Sequence, residues 1–276
     1  MERRLPSREV DRRVRELVAR ARDEYGLAEG CDGATACGRL ALAIAEGALP
    51  AGTDGLLAGR TIVLSDRVTW PPRREFTVFH EITHYLLDED GELIEDFTDT
   101  YRKDPAAYKR ELERCCNVGA AEFLMPQRGV YEAIQAEGLS IALVERIVAR
   151  HGVSIVAAAQ QLASCAPADS YVILAVDGAA SWVPRPHAGL CIEYAFIAPD
   201  TKYPLARFHR LERDHLLSMA WEERRAMADT TYIPFSSGKR KSCFGEVRLL
   251  GSRVIGFLGP HRPVGEDQLA LPLLFA

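Results

Sequence analysis

The sequence predicts an α+β fold in three consecutive parts, at residues 1–126, 127–166 and 170–276. Through most of the first two parts, apolar residues recur every three or four positions, which is the period of an α-helix. Beyond a Pro-containing linker at residues 166–169, apolar and β-branched runs alternate with Gly- and Pro-rich turns. We therefore expect a helical first part with a short strand region, a central helical bundle and a C-terminal antiparallel sheet.

The first part begins with two predicted helices. Ser7 can cap a helix over residues 8–25, whose arginines are balanced by nearby acidic residues. This balance favours a solvated helix face over a nucleic-acid contact. Thr35 is predicted to open a second helix that runs to about Glu46. The residues expected to be buried on the two helices are Val10, Val14, Leu17, Val18, Leu40, Leu42 and Ile44.

A strand and a third helix follow. Residues 52–65 read as a strand dominated by Thr-Ile-Val-Leu at 61–64, and the Pro71-Pro72 pair is predicted to break the chain after it. Residues 76–90 are predicted to be helical. The apolar residues that recur on one side of this helix are Phe76, Phe79, Ile82 and Leu86.

The third helix carries the pattern His-Glu-x-x-His, with His80, Glu81 and His84. Residues four apart on a helix lie about 40° apart around its axis, so both imidazoles project from one face. Neutral imidazoles are good ligands for zinc. The Glu81 carboxylate is placed to take a proton from a water molecule beside the metal. A pair of surface histidines beside an acidic residue is the alternative, and a third ligand would decide against it.

A carboxylate on the next predicted helix, at residues 105–124, can supply that third ligand. Glu111 and Glu113 both lie there, about 200° apart around the axis, so they cannot share a face. Glu113 shares its side with small and apolar residues, which would let two helices approach closely, whereas the surroundings of Glu111 look solvated. We therefore predict Glu113 as the third metal ligand, with an ion pair to an arginine as its alternative role.

These residues resemble the ImmA/IrrE metallopeptidase family. The resemblance rests on Phe-Thr-Val-Phe-His-Glu-Ile-Thr-His at 76–84, Glu-x-x-Cys-Asn at 113–117 and Phe-Leu-Met-Pro at 123–126. Cys116 stands in place of the usual Ala, and Gly119 in place of the usual Phe. The resemblance implies cleavage of a helix-turn-helix transcriptional repressor (DdrO-like), which would induce a response to radiation, desiccation and DNA damage. The resemblance is specific across roughly the first half of the chain.

The residues that bind the substrate and stabilise the oxyanion are not settled by the sequence, and alternatives remain for each. The strand region at residues 52–65 could bind a substrate backbone by strand addition, or it could be an ordinary sheet strand. The acidic segment at residues 88–101 could cover the cleft or be a solvated helix. Tyr85 and Tyr101 are near enough in sequence to donate a hydrogen bond to an oxyanion, but nothing in the sequence fixes either position.

The central part reads as helix, turn, helix, over residues 130–137, 140–151 and 154–164. This is the form of a helix-turn-helix. The last helix, Ser-Ile-Val-Ala-Ala-Ala-Gln-Gln-Leu-Ala-Ser, has no Arg or Lys to contact phosphates or bases. A helical bundle is therefore favoured over direct DNA binding.

The C-terminal part is predicted to form an antiparallel sheet with a polar helix around residues 211–227. The predicted strands are residues 171–176, 190–196, 246–250 and 254–258. The resemblance implies a GAF-like module that senses a small-molecule signal or holds the substrate. The basic loop Gly-Lys-Arg-Lys at 238–241 reads as solvated rather than as an anion site. Ordinary hydrogen-bonded roles are expected for the scattered His209, His215 and His261.

Composition points to the cytoplasm. The 276 residues carry a formal net charge of −5, which gives no overall attraction to nucleic acid. No apolar run is long enough to span a membrane, and the charged N-terminus does not read as a signal peptide. The seven cysteines lack a framework spacing and read as free thiols in a reducing compartment. Adjacent Cys115 and Cys116 read as packing thiols rather than as a redox pair, since neighbours on a helix point about 100° apart.

Two functions remain in competition. The first is a cytoplasmic zinc metalloendopeptidase of the gluzincin type, with Zn2+, or another divalent ion such as Mn2+, held by His80, His84 and Glu113. The second is a non-enzymatic DNA-binding or signalling regulator with a structural metal site. Glu81 favours the first, because a purely structural site has no need of a carboxylate beside the open position of the metal.

Overall fold

The computed structural model describes residues 7–201, 204–235 and 237–260. The chain divides into two compact units. The first comprises the residues up to Pro126 together with 151–154, and the second comprises 127–150 and the residues from 155 onward. Each unit has its own buried apolar cluster, so each is described by itself.

The first unit combines five helices with a three-stranded sheet over its described residues. Its helices are α1 (Ser7–Tyr25), α2 (Gly33–Arg39), α3 (Pro71–Glu89), α4 (Gly91–Tyr101) and α5 (Pro105–Leu124). Its strands are β1 (Ala43–Gly47), β2 (Gly55–Ala58) and β3 (Thr61–Ser65). The central strand β3 pairs in parallel with β1 and antiparallel with β2.

Helix α3 is the element around which this unit packs. Phe79 and Ile82 are fully buried and Leu86 nearly so, as the periodicity predicts. The prediction that Pro71 and Pro72 break the chain before the helix is wrong, because they form its first turn. Proline suits that position, since the first helical residues have no intrahelical acceptor for an N–H group.

The predicted second helix is too long. Helix α2 ends at Arg39, and the backbone turns at Ala41, whose φ is 53°, into strand β1. The guanidinium of Arg60 donates hydrogen bonds to the carbonyls of Leu40 and Ala41, which fixes this turn. Ile44 is 37% exposed rather than buried. Pairing with β3 therefore overrides the helical periodicity of residues 40–46.

Two further predictions for this unit have clear outcomes. The single strand expected at residues 52–65 is a hairpin, which turns at Gly59 with a φ of 61°. The close approach of two helices at small residues is confirmed, because a Cβ atom built on Gly119 of α5 would lie 2.4 Å from the Cγ2 atom of Thr83 on α3. A side chain larger than hydrogen would fit there only if Thr83 or one of the helices shifted.

The second unit joins four helices, among its described residues, to a five-stranded antiparallel sheet. Its helices are α6 (Gln127–Glu137), α7 (Ile141–His151), α8 (Ile155–Cys165) and α9 (Leu216–Glu223). Its strands are β4 (Tyr171–Asp177), β5 (Leu190–Ile197), β6 (Met227–Pro234), β7 (Arg240–Leu250) and β8 (Arg253–Gly259), in the order β5-β4-β8-β7-β6. The predicted antiparallel sheet is confirmed.

Details of this sheet correct the sequence prediction. The helix expected at residues 211–227 spans only Leu216–Glu223, since Arg224 adopts a left-handed conformation with a φ of 54°. Strand β6 was not predicted, because it is an edge strand that starts with exposed or half-exposed residues. Strand β7 begins six residues before the predicted strand, so it includes the last two residues of the basic loop at 238–241. Arg240 and Lys241 there form ion pairs with Asp214 and Asp169.

Of the histidines expected to have ordinary hydrogen-bonded roles, His215 is confirmed. His215 is fully buried, accepts a hydrogen bond from the backbone N–H of Leu217 and lies 3.0 Å from the carbonyl oxygen of Tyr232. His261 lies outside the described residues. No helix in the described part of the chain has the length and apolar character needed to cross a membrane.

Candidate metal centre

The side chains of His80 and His84 on α3 face Glu113 on α5. A carboxylate oxygen of Glu113 lies 3.2 Å from Nε2 of His80, and the other oxygen lies 4.0 Å from Nε2 of His84. The ligand atoms of a tetrahedral zinc ion are about 3.3 Å apart. Each imidazole nitrogen thus faces one oxygen of the same carboxylate, and both kinds of donor are ones that zinc binds.

The structure separates the two carboxylates of α5. The Glu113 side chain is 46% exposed and points at the two imidazoles. Glu111 accepts hydrogen bonds from Arg114, which also pairs with Asp11 on α1, and its side chain is only 15% exposed. The expectation of a solvated Glu111 is thus wrong. Its face of α5 packs against α1, and its charge is neutralised by an arginine.

Burial keeps both imidazoles in the form that binds metals. It lowers the pKa of His80 and of His84, against the opposing effect of the Glu113 carboxylate. The neutral ring, which has a free lone pair, is favoured in consequence. The two rings meet edge to face with centroids 5.0 Å apart.

Asn117, one turn after Glu113 on α5, orients His80. Its Oδ1 atom lies 3.1 Å from Nδ1 of His80. An amide oxygen only accepts, so this contact places the ring proton on Nδ1 and leaves the Nε2 lone pair directed at Glu113. This role of Asn117 was not predicted. The signal for it was the position of Asn117 four residues after Glu113, which puts both side chains on one helix face.

We expect Asn117→Ala to weaken zinc binding by about 10- to 100-fold, because His80 loses the acceptor that fixes its tautomer. Asn117→Asp restores an acceptor at the same place and should restore the affinity. Competition with a chromophoric chelator measures both values. Equal zinc affinities in the Ala variant and the original protein would show that the Asn117 contact does not orient His80.

Glu81 lies on the side of α3 that faces strand β2. Its side chain is almost fully buried, and it accepts a hydrogen bond from the backbone N–H of Leu57. Burial, reinforced by the negative charge of Glu113, raises the pKa of Glu81 to about 7. A carboxyl group with a pKa near neutrality is suited to accept and return a proton.

A glycine allows β2 to lie this close to α3. A Cβ atom built on Gly55 would lie 2.5 Å from Cγ2 of Thr77 and 2.9 Å from Oε1 of Glu81. Any larger residue would push the strand away from the carboxylate. No sequence pattern singles out this glycine, because the close approach depends on tertiary packing.

These side chains line a cleft of about 780 Å³. Its walls are β2 with the preceding loop, α3 and α5. Two cations reach it, Lys109 and Arg73, of which Arg73 pairs with Asp54. Neither tyrosine considered above lines it, and the Tyr85 hydroxyl accepts a hydrogen bond from Arg60 instead. The oxyanion donor therefore stays unassigned.

A second possible donor lies beneath the imidazoles. The Cys116 sulfur forms a group with one ring nitrogen each of His80 and His84, all within 4.8 Å of one another. Glu113 approaches the same imidazoles from the solvent side, whereas Cys116 is fully buried. Burial strongly raises the pKa of this thiol. The two imidazoles thus have two candidate partners on α5.

The comparisons with known proteins agree with the predicted resemblance. Residues 43–163 match the IrrE N-terminal-like domain family, Peptidase_M78. The chain is 28% identical over 246 residues to the radiation response metalloprotease IrrE of Deinococcus deserti. This alignment covers 84% of this chain and 82% of the relative. It is 26% identical over 191 residues to the protein of the same name from Deinococcus radiodurans, which covers 65% of this chain and 57% of that one.

A solved structure supports the fold. A Mycobacterium tuberculosis transcriptional regulator superposes with a TM-score of 0.60 at 14% identity, over 91% of this chain and 76% of the other. At this identity the likeness shows a shared fold and no shared activity. The resemblance predicted from the motifs is confirmed by the domain match and by the two relatives.

Proposed function

Because residues 43–163 match the IrrE N-terminal-like domain, we propose that this protein is a zinc-dependent endopeptidase of the gluzincin type. His80, His84 and Glu113 are the proposed zinc ligands, and Glu81 is the proposed general base. The observation that carries the proposal is the convergence of the Glu113 carboxylate on both Nε2 atoms, with the buried Glu81 carboxylate on the same helix and in the same cleft.

Each residue of the cleft has a separate role in the proposed peptide hydrolysis. A bound zinc ion would polarise the scissile carbonyl and lower the pKa of the attacking water. Glu81 accepts the proton of that water and then delivers it to the nitrogen of the leaving amine. The hydrogen bond from Leu57 holds the Glu81 carboxylate in place between these steps. Asn117 keeps His80 in the tautomer that can bind the metal.

Strand β2 is the proposed binding site for the substrate backbone. It pairs with β3 on one side only and forms an edge of the sheet. Gly55, Leu56 and Leu57 of this strand line the same cleft as His80 and Glu81. An extended peptide that pairs with this edge would run past the catalytic carboxylate. Leu56, which is 50% exposed, is placed to contact its side chains.

The proposed substrate is a helix-turn-helix transcriptional repressor (DdrO-like), cleaved in the cytoplasm to induce a radiation and DNA-damage response. The naming of both Deinococcus relatives as radiation response metalloproteases supports this. The seven cysteines are all thiols rather than disulfides, which is consistent with a reducing compartment. Co-expression with a panel of bacterial repressors, read by gel, tests it. One repressor should yield two fragments of defined size, and an uncleaved panel would contradict this choice of substrate.

The alternative is a DNA-binding or signalling regulator with a structural metal. Helices α6, α7 and α8 lie where the three helices of the central part were predicted. Helix α8, however, contains no Arg or Lys, so it lacks the contacts that dominate DNA affinity. A gel shift with and without zinc separates the two functions. Zinc-dependent retardation of DNA without cleavage of any repressor would favour the regulator.

The second unit is proposed to position the substrate or to sense a small molecule through a GAF-like sheet. Since every proposed site residue lies before Pro126, a chain that ends there should bind zinc as the full chain does. It should cleave the repressor poorly or without regulation. Zinc content and repressor cleavage measure the two properties.

The end point of this truncation follows from the structure. A cut at the linker of residues 166–169 would keep α6–α8 and remove the sheet that completes their unit, which would expose buried α8 residues such as Leu162. A cut at Pro126 avoids this but removes residues 151–154 from the first unit. Circular dichroism must therefore show native helicity before activities are compared. Full, normally regulated cleavage by the folded truncation would leave the second unit without the proposed role.

A further inference from the structure

The metal site offers one more donor than a zinc peptidase needs. Catalytic zinc sites use three protein ligands and leave the fourth position to water or substrate. Here two imidazoles face a carboxylate on the solvent side and a thiol on the buried side. Glu113 and Cys116 are three residues apart on α5, so they project from the same helix face. Both can reach a cation placed between the imidazoles.

Geometry and burial direct the sulfur of Cys116 to this site. It lies within 4.8 Å of a ring nitrogen on both histidines, and the residue is fully buried. Donor atoms around a tetrahedral zinc ion are about 3.4–3.6 Å apart when one is sulfur, so a side-chain shift of about 1 Å completes the coordination. Cys115 belongs to no such group among the described residues, although it is equally buried.

We propose that Cys116 is a metal ligand of the resting protein and that it gives this site a preference for thiophilic cations. The inference rests on the proposed metal site at His80, His84 and Glu113. On binding, the Cys116 S–H bond breaks, the sulfur forms a bond to the divalent cation, and the proton leaves to solvent. Thiolate ligands favour soft ions such as Cd2+ over hard ions such as Mn2+. The site therefore selects its metal through a residue other than its carboxylate.

A thiolate ligand has a consequence for the peptidase reaction. With two imidazoles, a carboxylate and a thiolate all bound, a four-coordinate ion has no open position for water. The sulfur must leave the ion before Glu81 can act on the attacking water. The thiolate-bound form is thus a resting form.

Cobalt(II) substitution tests the inference in the full-length protein. Thiolate bound to Co2+ gives an intense near-ultraviolet charge-transfer band, and tetrahedral coordination by any ligands gives visible bands. We expect both kinds of band in the original protein. Cys116→Ala and the near-isosteric Cys116→Ser should lose the charge-transfer band and keep the visible bands. Cys115→Ala is the matched control, because it removes the neighbouring buried thiol, and it should keep both.

Competition between Cd2+ and Zn2+ gives a second readout. The preference for Cd2+ should fall by at least about tenfold in Cys116→Ser and should not change in Cys115→Ala. Visible bands without a charge-transfer band in the original protein would overturn the inference and leave the zinc site intact. A charge-transfer band that survives in Cys116→Ser would also overturn it. Failure of the folded protein to bind Co2+ at all would overturn both the inference and the proposed function.

Discussion

Glu81→Gln should abolish cleavage of the repressor while it leaves zinc binding nearly unchanged. The amide has almost the same size as the carboxylate and can still accept the hydrogen bond from Leu57. It cannot accept a proton from the attacking water, and general-base catalysis contributes typically about 10²–10⁴-fold. The rate of cleavage at saturating repressor and the zinc content of the purified variant measure the two effects.

The matched control is Glu92→Gln, which makes the same chemical change at an exposed position on α4. It should cleave at the original rate. A zinc-replete Glu81→Gln protein that retains a substantial fraction of the activity would contradict the assignment of Glu81 as general base. Loss of zinc in that variant would instead assign a ligand role to Glu81.

Glu113→Ala should lower zinc affinity by about 100-fold or more, because it removes the proposed carboxylate ligand, and even outer partners of ligands contribute about 10- to 100-fold. Glu111→Ala should leave zinc affinity unchanged. It breaks the ion pair with Arg114 and should therefore lower the free energy of unfolding slightly, by about 1 kcal/mol or less. Competitive zinc titration and thermal denaturation of both variants separate the two effects.

The two outcomes that would contradict this contrast differ in meaning. Loss of zinc in Glu111→Ala with retention in Glu113→Ala would place the ligand on the other face of α5. Retention of zinc in both would leave His80, His84 and Cys116 as the metal-binding group. In that case the site would still bind metal, but without the proposed carboxylate ligand.

Local patterns were sufficient to predict the elements that hold the site. Helix α3 has apolar residues at helical spacing and α5 has a side of small and apolar residues, so their existence and approximate bounds followed from the sequence. The spacing of His80 and His84 placed both on one face, and the helical-face comparison favoured Glu113 over Glu111. These inferences need only the geometry of one helix at a time.

The features that the sequence analysis missed depend on contacts between elements. The role of Asn117 depends on the packing of α5 against α3, which brings its Oδ1 atom to 3.1 Å from Nδ1 of His80. The role of Gly55 depends on the packing of β2 onto α3. Strand β1 has helical periodicity in sequence and is a strand because β3 pairs with it. The burial of Glu111 could not be predicted because it depends on its partner Arg114. That arginine also pairs with Asp11, about a hundred positions earlier in the chain.

The most direct test of the account is metal-dependent cleavage with purified components. The protein is stripped with a chelator, dialysed, and incubated with the cleaved repressor with and without one equivalent of Zn2+, beside a His80→Ala/His84→Ala variant treated in the same way. We expect two repressor fragments only when zinc is restored to the original protein. Fragments of the same size from the stripped protein, or from the double variant, would show that the cleavage does not come from a metal at His80, His84 and Glu113.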